Sequence, residues 1–340
     1  MRDNDEFRRL IDRLTPELQQ AFLKAWQEVR KGIDWPRLRA ALARGDVDGA
    51  VDALGIEPAA FEAYRAAATN AYAQGGLLAT THVNGPRGSR VTFRFDMTNP
   101  RAEEWIRQNV GQQIVGIAEE AKTVARQAIQ TGYAAGRHPN GIALDLAGRV
   151  KEGSRAGGVL DLDGPRAGRL RIVLRGMETP EGVQDLVEMV GGEPKVRYKV
   201  NAATEARILK AWRAGTAVPL REREISARQY HNALLQARAE TVARTETGQA
   251  VMSARMEEWR QAAEKLGYPL DRVVKKWMHG GGKDPRWWHL QAEGMEVRGL
   301  ETPFILANGA VMQHALDPAG GGRESINCRC STTFRLIHAV

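Results

Sequence analysis

The chain has 340 residues, of which 43% are hydrophobic and 26% charged, with a net charge of 49 − 41 = +8. These values suit a folded globular protein. They exclude a chain disordered throughout, a collagen-like repeat and a disulfide-rich miniprotein. At roughly 100–200 residues per domain, two or three units are expected.

The charge is uneven. Residues 1–136 carry 18 basic and 17 acidic side chains, residues 137–235 carry 17 and 12, and residues 236–340 carry 14 and 12. A basic middle suits contact with a polyanion. The longest uncharged run, Ala66 to Pro86, is too polar for the roughly 20 apolar residues of a membrane span. The start, MRDNDEF, has no apolar signal core, so secretion is not expected. Both cysteines sit in the triplet Cys328-Arg329-Cys330, which excludes a disulfide framework.

In chain order, residues 1–80 read as short helices. Phe7, Leu10, Ile11 and Leu14 share one helical face. Thr15-Pro16-Glu17 reads as a helix start, as do Trp35-Pro36 and Glu57-Pro58, and Ala59 to Ala73 is helical in propensity. Arg90 to Asp96 alternates Val91, Phe93 and Phe95 with polar residues and predicts a half-buried strand. Thr98-Asn99-Pro100 caps a long helix through about Tyr133, ending at Gly132 or Gly136.

Residues 137–235 predict shorter helices with glycine-rich joints, and Gly153 to Gly168 reads as a flexible loop. No Gly-Lys-Ser/Thr follows it, so it does not make a phosphate loop. Ile225 to about Leu266 predicts the longest helix. Glu240 and Arg244 are spaced i, i+4 on it, and Gly248 suggests a close neighbouring backbone. Beyond Tyr268, short strands and turns follow. Arg272 to Trp277 is a strand, His279 to Pro285 a loop, and Phe304 to Met312 a hairpin with Asn308-Gly309 in a two-residue turn. Cys328 to Ile337 is the last strand. The expected fold is α+β and predominantly α. A helical N-terminal region ends in a strand (1–98), a helical basic region follows (99–224), and a small C-terminal domain of a long helix and short antiparallel strands completes the chain (225–340).

Two groups of side chains suggest chemistry. His289, Cys328 and Cys330 offer nitrogen and sulfur to a structural zinc, with His279 and Asp284 nearby. On a straight strand the two cysteine Cβ atoms stand about 6.5–7 Å apart, so double ligation requires a bend there. The alternative is a pair of small buried apolar residues. The second group, Lys195, Arg197, Lys199, Arg207, Lys210, Arg213, Arg221 and Arg223, forms a basic surface facing DNA or a partner. With aromatics at only 6%, it would contact phosphates without reading bases.

The order Ala243-Arg244-Thr245-Glu246, Lys276-Trp277, Asp284-Pro285-Arg286, His289, Gly294, Pro303-Phe304, Asn308-Gly309, Asp317-Pro318 and Ile326-Asn327-Cys328-Arg329-Cys330 resembles the phage Mu F-like head morphogenesis family, the phage minor head proteins. The resemblance spans about Ala227 to Phe334. Its motif residues here are Arg244, Glu246, Trp277, Arg286, His289, Asn327, Cys328 and Cys330. Asp284, Arg286 and His289 are closer together than family members have them, so His289 matches better than Asp284. The resemblance implies a virion component rather than an enzyme. Such a protein sits at the portal vertex or inner head, with portal and major capsid proteins and packaged DNA as partners, and is met in the host cytoplasm during assembly. The competing reading is a zinc-assisted hydrolase or nuclease using His289, Cys328 and Cys330.

Overall fold

The computed structural model describes residues 2–79, 93–151, 154–282 and 284–337. Helix accounts for 65% of the protein, with a few short antiparallel sheets, so the class is α+β and predominantly α. In chain order, α1 (Arg2–Lys31), α2 (Trp35–Arg44), α3 (Val47–Asp52) and α4 (Glu62–Ala79) come first, with a 3-10 turn at Pro58–Phe61 before α4. Then come α5 (Pro100–Trp105), a π-helical stretch over Ile106–Val110, α6 (Gly111–Ala134) and α7 (Pro139–Ala147). A first hairpin, β1 (Arg149–Lys151) and β2 (Ser154–Ala156), precedes α8 (Gly164–Gly176) and α9 (Pro180–Asp185). A second, β3 (Val187–Val190) and β4 (Glu193–Val196), leads to α10 (Ala202–Ala214) and α11 (Leu220–Leu266). The last part holds β5 (Val273–Met278), α12 (Trp287–Gln291), β6 (Glu296–Arg298), β7 (Phe304–Ile305), β8 (Val311–Met312), α13 (Gly322–Ser325) and β9 (Ser331–Leu336).

Two compact units emerge, each from non-consecutive segments. One comprises Met1–Lys24, Phe61–Ile114 and Ala239–Val340, and the other Ala25–Ala60 and Val115–Arg238. The sequence division at 98/99 and 224/225 is consecutive. Helices α1, α6 and α11 instead contribute residues to both units.

Several helix starts follow from capping chemistry. The Asp34 carboxylate accepts from the Arg37 N–H, and the Asn99 side chain accepts from Arg101. Pro16, read as a start, lies inside α1. The apolar stripe of Phe7, Leu10, Leu14, Leu18 and Phe22 continues through it at 3–4 spacing, while Pro16 itself is exposed. Burial of that stripe outweighs the roughly 3 kcal/mol cost of an interior proline. The helix expected over Ala59 to Ala73 begins after the 3-10 turn and runs to Ala79. Arg90, Val91 and Thr92 lie outside the described residues. Phe93 and Phe95 are buried, as the alternation requires, but form no ladder. There the Gln261 side chain takes a strand's place, accepting from the Asp96 N–H at 2.9 Å and donating to the Asp96 carbonyl at 3.1 Å.

Within the second unit, β3 and β4 form a hairpin that the reading as helices and joints did not include. Gly191 and Gly192, with φ of 60° and 86°, make its two-residue turn. Within the first unit, β5 lies between β6 and β9, antiparallel to both, with Val274 opposite Arg298 and Trp277 opposite Thr332. The β7–β8 hairpin pairs Phe304 with Met312, but its turn differs from the expected two-residue form. Gly309 alone has positive φ (84°) and its N–H bonds the Leu306 carbonyl, which makes a three-residue connection. Residues 247–259 of α11 are buried on every side. Gly248 there faces the Leu316 side chain rather than a backbone, with a built Cβ 2.8 Å from Leu316 Cδ1. The buried Glu257 carboxylate is held by Arg101 at 3.1 Å and Arg260 at 2.6 Å. No helix among the described residues is long and apolar enough to cross a membrane.

Candidate metal centre

The first unit's apolar core includes Trp259, Trp277, Phe304, Cys328, Cys330 and Phe334. Cys328 and Cys330 are not on a strand, because β9 begins at Ser331. Asn327, with φ of 55°, bends the chain just before them. Off the strand, the two thiols are not held to a straight strand's spacing: His289, Cys328 and Cys330 each offer a ligand atom, all within 4.8 Å of one another. His289 Nδ1 stands 3.5 Å from the Cys328 sulfur and 3.7 Å from that of Cys330. His279 and Asp284 are not in this group; they line the adjoining cleft.

The imidazole orientation is fixed from behind. His289 Nε2 lies 2.8 Å from Glu324 Oε2, which also accepts from the Trp288 indole N–H at 2.7 Å. Asn308 donates to the other oxygen at 2.8 Å. Burial pushes the Glu324 carboxyl up, but these donors outweigh it and hold it below its ordinary range. An ionised Glu324 keeps the proton on Nε2, so Nδ1, which faces the sulfurs, is the nitrogen that can release its proton and ligate a metal. This carboxylate–histidine arrangement is the usual support of a metal-ligating imidazole.

The sulfurs are also surrounded by donors. The Cys330 thiol bonded to Cys328, together with His289, pulls the Cys328 thiol down to about 5. That same sharing, with burial, pushes the Cys330 thiol up. The Gly280 N–H acts on the Cys330 sulfur, and the Cys330 N–H reaches Cys328 at 3.4 Å. Gly280 is required there, since a Cβ would fall 1.7 Å from the Arg329 carbonyl oxygen. One nitrogen and two sulfurs suit a soft or borderline cation such as zinc. A cleft of about 480 Å³ adjoins them, lined by His279, Asp284, Arg286 and Asn327 among others.

The remaining motif residues lie around this centre or on α11. Trp277 packs edge-on to His289, with centroids 5.3 Å apart. Arg286 donates to the Arg323 and Ile326 carbonyls, and the Asn327 N–H donates to Thr245 Oγ1 at 3.1 Å. Arg244 pairs with Glu240 at 3.1 Å, as its spacing implies. Glu246 is half-buried on α11, with Gln113 against its carboxylate. Its Oε2 is sealed from water without a partner among the described residues, and burial raises its carboxyl to about 8. A raised carboxyl pKa favours the folded state at low pH, and that advantage fades as pH rises from about 4.5 to 8. Glu246→Gln should therefore leave urea stability unchanged near pH 4. It should raise stability by on the order of 2 kcal/mol near pH 8.

Of the basic residues, Lys195, Arg197, Lys199, Lys210, Arg213 and Arg221 are exposed. Arg207 is half-buried and bonds Ser226 and Gln229, while Arg223 faces a cavity beside Glu178. Sequence reading missed Glu324, four residues before Cys328, because its pairing with His289 spans 35 positions. It also missed a buried ionic group in the second unit. There Asp161 bonds His231 at 2.8 Å, pairs with Arg30, and accepts Arg238 Nη1 on its carbonyl at 2.8 Å. The chain matches no family model, no curated protein and no solved structure, so the functional reading rests on its own residues.

Proposed function

We propose that this chain is a minor head protein of a tailed phage. It docks at the portal vertex or inner head against portal and major capsid proteins, assists head assembly, and touches packaged DNA through phosphates. Its first unit is tied together by a structural zinc on His289 Nδ1, Cys328 Sγ and Cys330 Sγ. The observation that carries this is the meeting of three motif residues, up to 41 positions apart, within one 4.8 Å group backed by Glu324. Quantitative mass spectrometry of purified particles, before and after DNA release, tests it. A few copies per particle are expected. Absence from particles would overturn the head-protein reading.

One observation favours a second reading, a zinc-assisted hydrolase or nuclease. Three ligands leave a fourth position, and the cleft beside them gives substrate access. That reading requires turnover of DNA or RNA by the purified protein, lost in a folded His289→Ala variant.

A further inference from the structure

The second unit contains a cavity of about 80 Å³ set between α6, α7, α8 and the start of α11. One water needs about 10–15 Å³ of such space, so there is room for a small polyatomic ion with a few waters. The floor is apolar, formed by Ala128, Val159, Leu170 and Leu174 among others. The polar lining is unbalanced, with five arginines against three carboxylates.

The carboxylates are already engaged. Asp145 pairs with Arg137 at 2.8 Å, Glu178 with Arg137 at 3.4 Å and Arg223 at 3.7 Å, and Glu224 with Arg149 at 3.5 Å. Arg171 and Arg175 have no ion pair among the described residues. Arg171 donates only to neutral oxygens, Thr131 Oγ1 at 3.1 Å and the Gln127 carbonyl at 3.5 Å, and Arg175 donates to the Thr131 carbonyl at 3.4 Å. They lie one turn apart on α8 and are half-buried, an arrangement that like charges disfavour. Burial and Arg175 both disfavour charge on Arg171. Arg223 also lines the cavity, and its Nη1 stands 3.7 Å from Glu178, beyond hydrogen-bond range.

We infer that this cavity is a phosphate-binding site, in which Arg171, Arg175 and Arg223 receive a dianionic phosphate group. The group neutralises the two surplus charges and gives the unused N–H donors charged acceptors, for which planar guanidinium forks are suited. The inference is independent of the head-protein reading. Phosphate could arrive as a free ion or monoester, or as part of a nucleic-acid backbone.

Calorimetric titration of the full chain with inorganic phosphate, at constant ionic strength, tests the site. Saturable 1:1 binding is expected. It should weaken about tenfold or more in Arg171→Gln/Arg175→Gln and be unchanged in Arg44→Gln, on an exposed part of α2. If circular dichroism shows the double variant unfolded, Arg223→Gln serves, with the same weakening expected. Duplex DNA and adenosine monophosphate are then added as competitors. Displacement by the nucleotide alone assigns the site to free phosphate compounds, and displacement by DNA assigns it to a backbone. Absence of phosphate binding, or binding that survives the substitutions undiminished, overturns the inference.

Discussion

Zinc removal should destabilise the first unit by about 4 kcal/mol when free zinc stood near a thousand times its Kd beforehand. The reason is linkage: the folded centre gathers one nitrogen and two sulfurs that the unfolded chain scatters. Urea unfolding in zinc buffer and in excess chelator measures the difference. His289→Ala and Cys330→Ser should give the same stability in both conditions, and metal analysis should fall from one zinc per chain to none. Glu324→Gln removes the charge behind Nε2 without removing a ligand. It should weaken zinc binding about 10–100-fold. Equal stability of the native chain with and without chelator would overturn the zinc assignment.

Asp161→Asn should cost the second unit about 3–5 kcal/mol, the usual result of removing one partner from a buried ion pair. Asp161 and His231 are fully buried, and the Arg30 side chain is only 12% exposed. Asparagine preserves the volume but leaves Arg30 facing a neutral group. Burial pushes the Asp161 carboxyl up, but His231 and Arg30 outweigh it and hold it well below the usual range. The sign follows: the contribution is complete above about pH 4 and fades as pH falls towards the depressed folded value. The variant should therefore lose most at neutral pH and show a flatter stability profile below pH 4. Urea unfolding from pH 2 to 7 measures both effects, and an unchanged midpoint at pH 7 would show that the pair contributes no net stability.

What was legible in the sequence was mostly local. The starts at Trp35-Pro36 and Asn99-Pro100 and the end of α11 depend on neighbours within a few residues and stand as expected, while α11 begins at Leu220, five residues before the expected Ile225. Pro16 misled because its local signal yields to a stripe of buried side chains along α1. Gly191-Gly192 was a readable turn signal, but the short β3 and β4 beside it carried too little apolar alternation. At the candidate metal centre, the three residues that meet were legible. The backing was not, since Glu324 and Trp288 meet only through tertiary folding. Asp161 and His231 lie 70 positions apart and share no periodic pattern.

The distance along the chain between His289 and Cys328 has a consequence of its own. Thirty-nine positions separate them, and beyond the end of α12 the segment between holds β6, β7, β8, a 3-10 turn at Pro318–Gly320 and α13, none longer than four residues. A metal bridging the two ends would close this stretch into a ring. In the chain-entropy account, a cross-link of that size removes about 4 kcal/mol of freedom from the unfolded ensemble. A metal cross-link would give this strand-poor segment the restraint a disulfide gives elsewhere, with its persistence set by free zinc rather than by oxidants.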